Sequence, residues 1–152
     1  MPKIDINAVP ERGGSGYPSP HDQAVAGRTS KRLGDAGGLT QFGANLVTLQ
    51  PGAKASLRHW HEEQDEFLWV TDGALTLVDD TGDTPMGPGD AAAFPAGDPN
   101  GHHMVNRSDA PGSFVVIGTR TPSETAHYSD VDMMVTSHNG VFNFTRRDGT
   151  PY

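Results

Sequence analysis

The chain has 152 residues and a mass of 16.1 kDa, the size of one domain, and 19 glycines and 12 prolines beside 34% hydrophobic residues disfavour long helical bundles. Its 11 Lys and Arg against 19 Asp and Glu give a net charge of −8, a surface that repels phosphate backbones and argues against a nucleic-acid partner. The absence of cysteine excludes disulfides and thiolate metal sites, and no apolar run exceeds four residues, far short of the ~20 that cross a bilayer.

The opening Met1-Pro2-Lys3-Ile4-Asp5 lacks an apolar signal stretch, so a cytoplasmic location is expected and the triplets at Asn106 and Asn143 carry no weight as glycosylation sites. Residues 1–38, punctuated by Pro10, Gly13, Gly14, Gly16, Pro18 and Pro20, read as an extended N-terminal arm, partly docked. Strands are predicted at Phe42–Leu49, Ala55–His61, Glu66–Val70 and Ala74–Val78, where strand-favouring residues lie between turn signals. Pro51-Gly52 ends the first, Asp72-Gly73 suits a tight hairpin, and Asp80-Thr81-Gly82-Asp83 marks a further reversal. Ala91–Phe94, His102–Asn106 and Phe114–Thr119 follow, then Val131–Val135, Val141–Thr145 and a last turn at Arg146-Arg147-Asp148-Gly149. Regular short spacing predicts an all-β sandwich or barrel over 39–122, with 123–152 as a C-terminal extension completing or flanking it.

Four of seven histidines fall in two clusters, Arg58-His59-Trp60-His61 and Gly101-His102-His103-Met104. On a strand, His59 and His61 share one face with Leu57, while Arg58 and Trp60 take the other. Paired imidazoles suit Fe, Mn, Ni, Cu or Zn and need further donors, of which Glu66 is the nearest good candidate. Its offset of five from His61 is odd, so the chain must bend within the polar run Glu62-Glu63-Gln64-Asp65 for the groups to converge. A solvated cluster is the competing reading of the same residues.

Gly52, then His59-x-His61, Glu66 and Gly73, resembles the first motif of the cupin superfamily: four residues separate His61 from Glu66 and six separate Glu66 from Gly73, as in the family, and six rather than five separate Gly52 from His59. Gly89, Pro95-Ala96-Gly97, His102 and Asn106 resemble the second motif, with two extra residues in the loop before His102. Arg32-Leu33-Gly34-Asp35, Gly38-Leu39-Thr40-Gln41-Phe42-Gly43, Asn106-Arg107-Ser108 and the ending Arg147-Asp148-Gly149-Thr150-Pro151-Tyr152 are similar to small single-domain bacterial cupins.

The resemblance implies a double-stranded β-helix, the cupin jelly-roll barrel, with His59, His61, Glu66 and His102 binding one divalent transition metal inside it. It also implies a homodimer and a metal-dependent enzyme acting on a small polar, oxygen-rich molecule, by dioxygenase-type oxygenation or by isomerisation through a metal-bound enolate. The alternative is a metal-containing protein that binds or senses a small molecule without turnover. Metal-independent epimerisation through a His and Tyr pair is disfavoured by the full ligand set.

No catalytic acid or base is assigned. Tyr128 and His127 are read as surface loop residues, His21 and His138 as solvated, and His103 as facing away from His102. Trp60, Phe67 and Trp69, opposite the ligand face, suit a core beneath a second sheet or a subunit interface.

Overall fold

The computed structural model describes residues 3–152, so Met1 and Pro2 of the expected arm and leader reading lie outside the described residues. Among the described residues, thirteen strands, one four-residue helix, α1 (Leu33–Ala36), and a 3-10 turn at Ile6–Ala8 make a nearly all-β jelly-roll barrel. One wall is a six-stranded antiparallel sheet in the order β1 (Glu11–Gly13), β2 (Arg28–Arg32), β3 (Phe42–Leu49), β10 (Gly112–Thr119), β5 (Glu66–Asp72), β8 (Ala91–Phe94). The other wall has two sheets: β13 (Val141–Thr145), β12 (Met134–His138), β11 (Ser123–Tyr128) and β4 (His59–His61), then β7 (Gly82–Met86), β6 (Leu75–Asp79) and β9 (His103–Val105). An isolated bridge between His59 and His102 joins these two sheets, with backbone hydrogen bonds of 3.2 and 2.9 Å.

Alternation along the strands builds the core. Val47, Leu49, Leu68, Val70 and Phe114 point inward from the large sheet and meet Leu75, Leu77, Met86 and Met104 from the three-stranded one. A second cluster, Ala126, Tyr128, Met133 and Val135, lies under the four-stranded sheet and packs against Tyr17, Leu57 and Phe144. The β5–β6 turn needs Gly73: its φ is +76°, and a Cβ there would stand 2.7 Å from the Pro111 carbonyl oxygen.

Several expectations shift. The segment expected as an arm contributes β1 and β2 to the large sheet, and Tyr17 sits edge-on to Tyr128, with ring centroids 5.6 Å apart, while accepting a hydrogen bond from the Leu57 amide at 3.2 Å. It therefore docks on its own barrel. Ala55–His61 is a strand only from His59 onward, and Val131–Val135 gives way to Met134–His138 because Asp130–Met133 turns, with the Met133 amide bonded to the Val131 carbonyl at 2.8 Å. Phe67 and Trp69 are 43% and 48% exposed, which removes the core option for them. No helix among the described residues is long and apolar enough to cross a membrane.

Candidate metal centre

The bend required between His61 and Glu66 is a corner at which the chain changes sheets, from β4 in one wall to β5 in the other. Glu124 on β11, buried, clamps this corner: its Oε1 accepts from the Glu62 amide at 2.9 Å, and Oε2 accepts from the Glu63 amide at 3.2 Å. The two histidines of β4 and the carboxylate of β5 thus face one another across the barrel instead of along one strand.

The separations are those of a donor cluster. His59 Nε2 lies 3.1 Å from His61 Nε2, and Glu66 Oε2 lies 3.4 Å from His61 Nε2, 3.6 Å from His102 Nε2 and 4.0 Å from His59 Nε2. His59, His61 and Glu66 form a group that could hold a metal ion, and His102 Nε2 reaches the same carboxylate oxygen. Two of the rings are held from behind. His59 Nδ1 donates to the Leu57 carbonyl at 2.8 Å, which leaves its Nε2 a lone pair aimed inward. His102, 3% exposed, lies flat against Phe94 with centroids 3.4 Å apart, and a Cβ on the preceding Gly101 would collide with the Ser129 side chain. On the outer surface Arg58 ties the loop down, bonding Asp130 at 2.9 Å, the Gly101 carbonyl at 3.2 Å, and Asp80.

Electrostatics give the donors the protonation they need. Burial pushes His59 down to about 4, against the pull of the Glu66 charge, so the imidazole is neutral at pH 7. Burial alone would raise Glu66, but the imidazoles of His102, His61 and His59 packed around it outweigh that and hold the carboxyl well below its usual range. A neutral imidazole at His59 beside an ionised Glu66 is the ligand form that a divalent cation requires. The fit shows in two orphans: His102 Nε2 and His61 Nδ1 are buried without a hydrogen-bond partner. A cation among the inward nitrogens would satisfy the first, and would leave the His61 proton on Nδ1, which lies 4.0 Å from Glu124 Oε1.

Of the residues singled out from sequence, His103 turns away and its Nδ1 donates to the Ser56 carbonyl at 2.8 Å. His127 is on the outer face, stacked on Trp60 and 2.6 Å from Glu62 Oε1. Asn106 is structural: its amide donates to the Leu49 and Ala110 carbonyls, both at 2.8 Å. Tyr128, read from sequence as a surface residue, is instead buried, its ring centroid 5.9 Å from that of His59, because Ser123–Tyr128 pairs with β4. Glu124 and Tyr17 had no motif to announce them. The one available signal was a lone Glu in an alternating Ser-Glu-Thr-Ala-His-Tyr segment, where period two places Glu124, Ala126 and Tyr128 on one face.

Comparison with known proteins agrees with this geometry. A family model described as a cupin domain matches residues 45–118. A crystal structure described as a sugar phosphate isomerase from a cupin superfamily, from Silicibacter pomeroyi, is 64% identical over 99% of this chain and 96% of its own, with a TM-score of 0.97. A proposed sugar phosphate isomerase from Acidithiobacillus ferrooxidans is 28% identical over 82% of this chain and 80% of its own, with a TM-score of 0.76. The polyketide cyclase RemF from Streptomyces resistomycificus shares the fold, with 21% identity over 78% of this chain and 79% of its own and a TM-score of 0.62. A search of the curated proteins finds no match. With its fold, its two motifs and a relative at 64% identity all in agreement, this chain belongs to the cupin superfamily.

Proposed function

We propose that this protein is a metal-dependent isomerase of phosphorylated sugars, working in the cytoplasm. The observation that carries the reading is the meeting of His59, His61, Glu66 and His102 beside a cavity of about 530 Å³ that His59 lines. The 64% identical relative described as a sugar phosphate isomerase supports the substrate class. The four side chains would hold one divalent ion, among iron, manganese, nickel, copper and zinc. When bound, that ion supplies a Lewis acid that polarises a substrate carbonyl and offsets the charge of an enolate.

The chain's own residues supply position and protons. Tyr17 lines the same cavity, and burial raises its phenol above the ordinary value, so Tyr17 Oη keeps its proton and stands ready as a hydrogen-bond donor to a sugar oxygen. Burial raises Tyr128 behind it in the same direction. Aldose–ketose isomerisation is redox-neutral overall, one proton leaving a carbon and another, exchangeable with solvent, reaching its neighbour, so it needs no external oxidant, whereas oxygenation consumes dioxygen.

Metal analysis of the purified protein, followed by incubation with pentose and hexose phosphates in D₂O, tests the reading. Deuterium entering the carbon next to the carbonyl, abolished by chelation and restored by metal, is the expected result. Metal with bound sugar phosphate but no exchange would indicate a binding protein, and oxygen uptake would indicate an oxygenase. A homodimer covering the outer face that carries Phe67 and Trp69 completes the proposal, and sedimentation at micromolar concentration measures it.

A further inference from the structure

The cavity beside His59 has a charge pattern unlike the rest of the molecule. In β2, Arg28 pairs with Leu49 and Arg32 with Asn45, and Ser30 between them pairs with Arg12 of β1 on one side and Val47 on the other. Opposed residues of antiparallel strands share a face, and Val47 and Leu49 are fully buried, so Arg12, Arg28 and Arg32 all take the inward face. All three line the cavity, and no carboxylate does. A chain of net charge −8 thus gathers three of its 11 basic residues around one space free of acids.

The arginines are also short of partners. Among the described residues, no carboxylate comes within 4.0 Å of Arg12 or Arg28, and Arg28 Nε is buried without a hydrogen-bond acceptor. Burial, with Arg32 adding to it, pulls the Arg28 pKa below the ordinary value, the mark of a cation lacking a counter-ion. Arg32 has Asp35 at 3.8 Å, but that carboxylate is already engaged by Arg120. An unpaired guanidinium facing a cavity costs stability unless an anion arrives. Ser30 and Ser56 add hydroxyls to the wall, and Gly13 to Gly16 carry the chain over it. Arg32 and Asn45 also line the adjoining cavity of about 390 Å³, so the two spaces adjoin there, one reaching His59 and the other His61 and Glu66.

We propose that Arg12, Arg28 and Arg32 form a phosphate subsite, which seats the phosphate of the substrate while its oxygen-rich body extends toward His59, His61 and Glu66. Planar guanidinium forks match phosphate oxygens, and three of them more than offset the charge of a dianion. The identity of the substrate body rests on the isomerase reading, but the subsite itself is testable with inorganic phosphate.

Calorimetry on the full chain at fixed ionic strength, before and after chelation, measures inorganic phosphate and compares a hexose phosphate with the free hexose. Phosphate binding that survives chelation is expected, with roughly tenfold or greater weakening in Arg12→Gln and in Arg28→Gln, and less than about twofold change in Arg107→Gln on the outer surface. Arg12 is exposed on the edge strand, so its variant reports even where Arg28→Gln fails to fold. Affinity unchanged in Arg12→Gln, or a hexose bound as tightly as its phosphate, overturns the subsite. Phosphate binding lost in Arg12→Gln, with no deuterium exchange in the wild type, sinks the isomerase reading and leaves the subsite standing. Exchange with an unaltered KM for the sugar phosphate in Arg12→Gln does the reverse.

Discussion

The inward face of the six-stranded sheet has two ends built by one alternation and carrying opposite chemistry. Toward the closed end, Val47, Phe114 and Val70 stand in one cross-strand row and pack onto the three-stranded sheet, making an apolar interior. Toward the open end the row is Gly43, Gly118, Glu66 and Phe94, two residues without side chains beside the carboxylate. A Cβ at Gly43 or Gly118 would meet nothing nearer than 3.8 Å, so these glycines answer no backbone strain and instead leave room. Filling one end and emptying the other lets a short barrel combine a packed core with an open polar site. The apolar end contributes burial free energy, and the polar end spends part of it on an ionised carboxylate and unpaired arginines.

The largest effect should come from breaking the polar end. Glu66→Gln keeps the shape and removes the single negative charge from the ligand cluster, so metal content after dialysis should fall to roughly a tenth of wild type or less. Mass-spectrometric metal analysis checks this, and full retention would show that the four side chains do not act as one centre. At the closed end, Phe114→Ala should cost about 3–5 kcal/mol in denaturant unfolding while leaving metal stoichiometry unchanged. Should Phe114→Ala also empty the metal site, the two ends are one cooperative unit and the contrast fails.

How much of this was legible in the sequence follows the same division. His59, His61, Glu66 and His102 stood out because chemistry concentrates rare residue types at fixed spacings, and β3, β8 and β13 match their expected bounds to the residue on strand-favouring side chains between turn signals. β2 was invisible for a physical reason: Arg-Thr-Ser-Lys-Arg turns its inner face to a polar cavity, so it carries no apolar signal although it is fully paired. β11 hid because one of its inward positions is Glu124, and β7 because Pro85 lies in an edge strand where its missing amide goes unmissed. Strands that serve the site look like loops in the sequence, because they were not selected for burying hydrocarbon.

Acid separates the two ends more gently. Folded His59 takes its proton near 4 instead of its ordinary 6.5, so between those values the unfolded chain binds a proton that the folded one refuses. Stability of the metal-free protein should therefore fall as pH drops from 6.5 toward 4. Glu66, depressed from its ordinary 4.5, adds a further loss below that value, since the unfolded carboxylate protonates first. Thermal melts from pH 7.5 to 4 check the sign. Phe114→Ala should keep the wild-type slope at lower stability, because it touches no titrating group, whereas Glu66→Gln should lose the part below 4.5.

The smallest expected effect lies at the corner joining the two walls. Glu124 is a buried carboxylate whose acceptors hold the amides of Glu62 and Glu63, and whose charge lies 4.0 Å from His61 Nδ1. Glu124→Gln retains one acceptor oxygen and the side-chain volume, so the corner should survive at a cost of about 1–2 kcal/mol. What it removes is the charge that favours a proton on His61 Nδ1, and with it the tautomer whose Nε2 is free to bind. Metal affinity should weaken by about 10-fold, well short of the loss in Glu66→Gln, with the chain still folded by circular dichroism. If stability falls and affinity does not, Glu124 is purely a backbone clamp. A fall in affinity with little loss of stability would instead show that the corner positions His61 through charge as well as through shape.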